Sequence, residues 1–363
     1  MSILDEIFKI TKMKNLLIAL VLILSNNFVF SQNPNGANEL VDIGINYHDK
    51  GDYDGAIGKY DEALKLDKDN FRALAEKAYS LVSSEKFQKA VECSQKAIQL
   101  YPDGVDLASV YVTLGNAYDG LLKTDKSIEI YDEGIKLFPD YFMLYFNKGV
   151  TLSSVKRYKE AINSFEKSVQ INSKHASSHN ALARILFLNG EKIPSLLAYC
   201  RFLALEQQTK RASENLQSVN EILKGTAKKT GKNSVSISLD PAKLKDSTET
   251  TENNFRSTEL ILMLSGALDF EKKNKNKSEI ELFTDKLKTV CASLSELKEN
   301  NSGFYWNYYA PYFISMKENN LVETFVHIAF AASDDSNNKK WLDKHKKEVS
   351  DFFFWSKTFD WKK

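Results

Sequence analysis

The chain reads as an all-α protein, an array of stacked helical hairpins followed by a second helical domain. Three observations predict this. Small and aromatic residues recur at a spacing close to 34 residues from Ala37 to about Leu216. Turn-forming residues punctuate the recurrence: Lys50-Gly51-Asp52 and Asn189-Gly190 within copies, Tyr101-Pro102-Asp103 and Phe138-Pro139-Asp140 between them. Beyond Thr258 apolar residues still step by three and four, but the longer period is gone. With 363 residues, 43% hydrophobic and 27% charged, the chain has room for two domains. Its 49 basic and 48 acidic side chains leave no global field that favours nucleic acid.

The N-terminal stretch is a processing segment rather than part of the fold. Lys12 and Lys14 precede the apolar run Leu16 to Leu24, and Val29-Phe30-Ser31 before Gln32 offers a small-residue cleavage site. The run is too short to cross about 30 Å of hydrocarbon as a helix. A signal peptide over residues 1–31 is therefore expected, with no stable membrane span after cleavage. Asp5 and Glu6 are unusual ahead of such a run, and Met13-Lys14 makes a more typical start. The mature protein is expected in a bacterial periplasm or outside the cell.

Five copies of a helical hairpin follow over residues 37–224. Their eighth places hold Gly44, Ala78, Gly115, Gly149 and Ala183, and their twentieth places Ala56, Ala90, Ser127, Ala161 and Ser195. Glycine inside a helix costs up to about 1 kcal/mol against alanine. Close approach of the partner helix offsets that cost if these small residues face one another, while Tyr47, Tyr60, Tyr118, Tyr131 and Phe165 fill the wider gaps. The frame resembles the tetratricopeptide repeat. That resemblance implies a superhelix that buries its faces only by stacking, and an extended peptide or partner helix as ligand on its concave side. Between the second and third copies Gly104-Val105-Asp106 stretches the spacing, and Arg211 to Leu223 caps the array.

Residues 225–257 are rich in Lys, Thr, Ser and Asn and read as a linker, with one alternating piece, Ser234 to Leu239, as an edge strand. The C-terminal domain, 258–363, opens with a helix whose apolar face is Leu260, Ile261, Leu264, Ala267 and Leu268. A second carries Ile280, Phe283, Leu287, Val290, Cys291, Leu294 and Leu297. Helices over Phe304–Met316, Leu321–Ala332 and about Lys340–Phe359 follow, dense in aromatic rings. Rings at helical spacing pack in cores, and they also stack on sugars, so a glycan-binding C-terminal domain is the alternative reading.

No catalytic, cofactor or metal constellation passes a test of spacing. His175 and His179 share a helix face but lack a third ligand and the glutamate of a zinc protease. Gly225 to Asn233 misses the phosphate-loop spacing, and no Gly-x-Ser-x-Gly elbow occurs. Cys93, Cys200 and Cys291 make neither a CxxC pair nor an even disulfide set. The remaining alternative is a hydrolase or metal protein whose site escapes these motifs. The expected working surface is instead the concave face, formed by the second, fifth, ninth and twelfth places. Its binding candidates are Tyr79, Asn116, Met143, Phe146, Val150, Asn180, Arg184 and Phe187, with Tyr79, Phe146 and Phe187 as aromatic anchors. Heat-shock co-chaperones of the resembled family grip a C-terminal carboxylate with Lys-x-x-x-Asn and Lys-x-x-x-Arg. Here Val41/Ile45, Val112/Asn116 and Asn180/Arg184 stand at those places, so that clamp is absent. The expectation is an exported scaffold for a protein or peptide partner, with the protein's own linker or C-terminal helices as the competing occupant of the groove.

Overall fold

The computed structural model describes residues 34–104, 106–225, 227–231, 234–237 and 252–361. The expected signal segment and part of the linker lie outside the described residues. The chain divides into two compact units, one up to Ile130 and one from Tyr131 onward.

The first unit is a run of helical hairpins. Its helices are α1 (Pro34–Asp49), α2 (Tyr53–Leu66), α3 (Phe71–Ser83), α4 (Phe87–Leu100), α5 (Leu107–Gly120) and the opening of α6 (Thr124–Leu137). Asp52 and Asn70 start α2 and α3 by accepting from the backbone N–H groups of Gly55 and Ala73, which satisfies donors a helix start leaves free. Ala37, Val41, Ala56, Tyr60, Ala63 and Ala73 form a buried cluster between the first copy and the second. Side-chain links join these copies, among them Asn70 donating to Asn38 at 3.2 Å and Lys77 meeting Asp61 at 2.5 Å.

The reason for glycine at the eighth place differs from the expectation. A methyl group on Gly44 would lie 2.4 Å from the Tyr60 ring, so the residue it makes room for is an aromatic ring on the partner helix rather than another small residue. A flat ring reaches across the helix pair and needs the opposite backbone bare.

Each copy turns between its helices through a residue of positive φ at the fifteenth place. In the first unit these are Gly51 at 81°, Glu85 at 60° and Leu122 at 59°. Every such turn is closed by two backbone bonds, as in Glu85 N–H to Val82 carbonyl and Lys86 N–H to Leu81 carbonyl. These satisfy the last carbonyls of the preceding helix and hold even a leucine in the left-handed region.

The second unit carries the rest of α6, then α7 (Phe142–Ser154), α8 (Tyr158–Ile171), α9 (Ala176–Leu188), α10 (Lys192–Leu205) and α11 (Lys210–Lys224). The repeat signature persists. A methyl on Gly149 would lie 2.6 Å from the Phe165 ring, Lys148 meets Asp132 at 2.5 Å, and Lys156 and Gly190 turn at φ 62° and 81°. The second helix of the fifth copy departs from the pattern: α10 is buried at every residue from Ile193 to Ala204. It packs against α9 and α11 and against C-terminal helices as well.

After α11 the expected edge strand has a partner. Strand β1 (Ala227–Lys229) pairs antiparallel with β2 (Val235–Ile237), Ala227 opposite Ile237, and the hairpin rests on α12 (Arg256–Leu268). That helix corrects the sequence reading. It turns Thr258, Leu262 and Gly266 inward and leaves Leu260, Leu264 and Leu268 exposed, because the Thr258 hydroxyl bonds Ser293 at 3.0 Å and Gly266 admits the hairpin. Helix α13 (Glu279–Leu297) begins with a reciprocal box between Ser278 and Glu281.

Three further expected helices are interrupted. Phe304–Met316 splits into α14 (Phe304–Tyr308) and α15 (Ala310–Glu318), since Pro311 in the first turn of α15 has no N–H to continue a ladder. Leu321–Ala332 is α16 (Val322–Ala329) ending in a tight 3₁₀ turn. The last stretch is α17 (Ser336–Lys344), started by Asp335, and α18 (Lys346–Thr358), separated at His345. The aromatic stretch is interior: Tyr305, Trp306, Tyr308, Tyr309, Tyr312 and Phe313 are all buried.

Candidate functional site

On the first unit, the first-helix face is built from α1, α3 and α5. Tyr79 stands half exposed, at 50%, with its ring stacked on His48 at 4.7 Å and 22°. The imidazole is fixed from two sides: its Nδ1 shares a 2.7 Å hydrogen bond with Ser80 Oγ, and Tyr53 tilts against it at 5.0 Å. Two turns toward the start of α3, Arg72 pairs with Asp42 of α1 at 2.6 Å. Between Arg72 and Tyr79 lies Glu76, half-buried and with no hydrogen bond or ion pair among the described residues. Burial pushes its carboxyl up, against the opposing pull of Arg72 and His48, and Asp49 pushes it further in the same direction. Asn116 is half-buried on α5 and has an interaction of its own.

The other six candidates lie on the second unit. Met143, Phe146 and Val150 line α7, with Val150 44% exposed and the other two half-buried. Phe146 meets His175 edge to face at 5.0 Å and Phe165 at 6.0 Å. On α9 Arg184 is exposed, while Phe187 is half-buried with its ring 6.5 Å from Tyr199. Asn180 is buried, and its Oδ1 accepts from Asn215 of α11 at 3.0 Å. It therefore joins two helices instead of presenting an amide to a ligand.

A polar cluster in the interior of the second unit was not visible in the sequence pattern. The Nε2–H of His179 donates to the Ser173 carbonyl at 3.0 Å, so its Nδ1 accepts from the Tyr309 hydroxyl at 2.6 Å. Burial, reinforced by Arg201, holds this imidazole well below its ordinary pKa and keeps it neutral. Arg201 is 1% exposed and has no carboxylate partner among the described residues. It donates to Ser356 at 2.8 Å and to the Ser173 carbonyl at 3.1 Å, and its guanidinium lies against the rings of Tyr312 and Trp361, 5.1 and 4.8 Å from their centroids. The Tyr308 hydroxyl bonds the Val169 carbonyl of α8. These C-terminal rings thus fasten the last helices to the fourth and fifth copies.

Two serine–histidine contacts occur among the described residues, His48 with Ser80 and His175 with Ser178, both at 2.7 Å. Both hydroxyls are fully buried and no carboxylate bonds either imidazole among the described residues. They brace helices. All three cysteines are free thiols, and burial pushes each of them up, Cys291 to about 12.

Sequence profiles described as TPR repeat and Tetratricopeptide repeat match residues 44–81 and residues 71–103, 108–141 and 144–175. Residues 44–175 are tetratricopeptide repeats. Such repeats are protein-interaction scaffolds whose fold is typically non-catalytic. Among curated proteins, the repeats resemble the Protein STIP1 homolog of Dictyostelium discoideum, 26% identical over 163 residues, which is 37% of this chain and 29% of that protein. They also resemble Heat shock protein STI1 of Saccharomyces cerevisiae, 26% identical over 193 residues, 52% of this chain and 32% of that protein. The chain thus spans about a third of the length of these relatives. A solved structure of PilF from Pseudomonas aeruginosa is 20% identical, with a TM-score of 0.46 over 52% of this chain and 84% of that one.

Proposed function

We propose that this chain is an exported scaffold of the bacterial cell envelope that holds a protein or peptide partner on the first-helix face of its tetratricopeptide repeats. One observation carries the reading. Tyr79 projects half its surface from the first-helix face of the second copy, its ring propped on His48 of the first. A large ring held rigid and left open is what an interface anchor looks like before its partner arrives. Export rests on the sequence: the basic residues, the short apolar run and the small-residue site before Gln32 form a secretory signal. Among the described residues, no helix is long and apolar enough to cross a membrane.

The test is affinity purification from envelope fractions with the full chain and its Tyr79→Ala variant. Loss of a reproducible partner by the variant, with unchanged melting, supports the reading. Retention of every partner would remove the first-helix face from consideration. N-terminal sequencing of the mature protein tests export, and a product that keeps Met1 or Met13 would refute it.

A further inference from the structure

The repeat geometry of the first unit contains a cross-copy ion pair that is made once and then left half complete. At the sixth place of the first copy, Asp42 pairs with Arg72, which occupies the second place of the next copy, at 2.6 Å. One copy further on, the sixth place holds Glu76, and the second place of the following copy holds Ser109. Ser109 is exposed and its hydroxyl donates to the Asp106 carbonyl at 3.0 Å, so it supplies neither a cation nor a hydrogen bond to Glu76. Glu76 consequently sits half-buried with no partner among the described residues, and Arg72 on the same helix is occupied by Asp42. Asp49, close enough to act on Glu76 electrostatically, is exposed and has no ion pair among the described residues. One turn along α3, Tyr79 presents an open ring face.

We propose that Glu76, Asp49 and the Tyr79 ring form a subsite for the lysine or arginine side chain of an extended peptide. This rests on the scaffold reading above and names the chemistry of its partner. The cation takes the place that arginine fills one copy earlier, while its alkyl stem or guanidinium plane lies along the tyrosine face. A partly desolvated carboxylate lacking a counter-charge gains most from such a guest, since a charge-assisted hydrogen bond formed there is stronger than one in open water. The ligand is thus opposite in charge to the acidic tails that the resembled co-chaperones hold.

The experiment uses the full chain immobilised against a displayed random-peptide library, with Glu76→Gln and Ser109→Arg as variants. The second variant supplies the missing arginine from within the chain. Wild type is expected to enrich peptides bearing lysine or arginine. Those peptides should bind both variants about tenfold more weakly or worse, as loss of a charged hydrogen bond implies, while all three proteins melt as folded chains and Ser109→Arg melts no lower than wild type. Enriched peptides without a basic residue that are lost with Tyr79→Ala would overturn the cation subsite and leave the scaffold reading standing. Basic peptides that bind Glu76→Gln and Ser109→Arg as well as wild type would overturn it too. If wild type enriches no peptide, the subsite and the first-helix face fall together.

Discussion

A single methyl group tests the packing of the copies. A methyl group on Gly44 or Gly149 would fall inside contact distance of a ring, so Gly149→Ala must displace the fully buried Phe165. The expected result is a loss of about 1 to 3 kcal/mol from overpacking, outweighing the helix-propensity gain of about 1 kcal/mol. Gly58, also mid-helix, has open space around it, so Gly58→Ala should show that gain unopposed. Urea unfolding of both variants decides the matter, and equal effects would sink the ring-contact account. At His179 the native imidazole is held neutral and its pKa depressed, whereas the unfolded residue titrates near 6.5. The unfolded chain therefore binds more protons, and this residue's contribution is complete above about pH 6.5 and lost as pH falls toward the depressed value. Between pH 7.5 and 5.5 the full chain should lose stability more steeply than His179→Gln, by up to about 1.4 kcal/mol per pH unit. His175 and His327, also depressed by burial, act in both proteins and cancel in the comparison. Parallel slopes would clear His179 of any part in acid sensitivity.

At the scale of elements, the sequence showed the repeats well because their signature lies in side-chain size, which a period exposes. Gly51 and Gly190 announced their turns, whereas Glu85, Leu122 and Lys156 adopt the same left-handed backbone with nothing in their side chains to signal it. There the closing hydrogen bonds of the preceding helix decide the conformation. Glu76 stands at a sixth place, outside the second, fifth, ninth and twelfth places that define the inward face in the sequence pattern. Comparing the sixth places, Asp42, Glu76, Thr113, Asn147 and Ala181, would have shown two adjacent acids and a single arginine to serve them. The interior Arg201 and His179 gave no signal, since their side-chain partners, Tyr309, Tyr312 and Ser356, lie more than a hundred residues away. Helix α12 misled the apolar pattern: leucines at steps of four look like a core face but here point outward. Leu264, 51% exposed, should accept glutamate with a change within about 0.5 kcal/mol. A drop of several degrees in melting for Leu264→Glu would show that this stripe is covered.

For the second unit as a whole, α10 sets what can be removed. A helix apolar all round needs neighbours on every side, and those of α10 include helices beyond residue 252. A fragment ending at Lys224 should therefore expose the buried faces of Leu203, Phe202 and Arg201 and fail to stay monomeric. Sedimentation of residues 34–224 beside the full chain checks this, and a well-behaved monomeric fragment would contradict it. Solenoids commonly lengthen by duplicating a hairpin, because each new unit offers the next one the same surface it received. The fifth copy has given that surface up. Its second helix is enclosed by C-terminal helices and rings that no sixth hairpin provides, so an added copy has to be inserted upstream of Ala176, with the downstream end as the fixed origin from which repeats are counted.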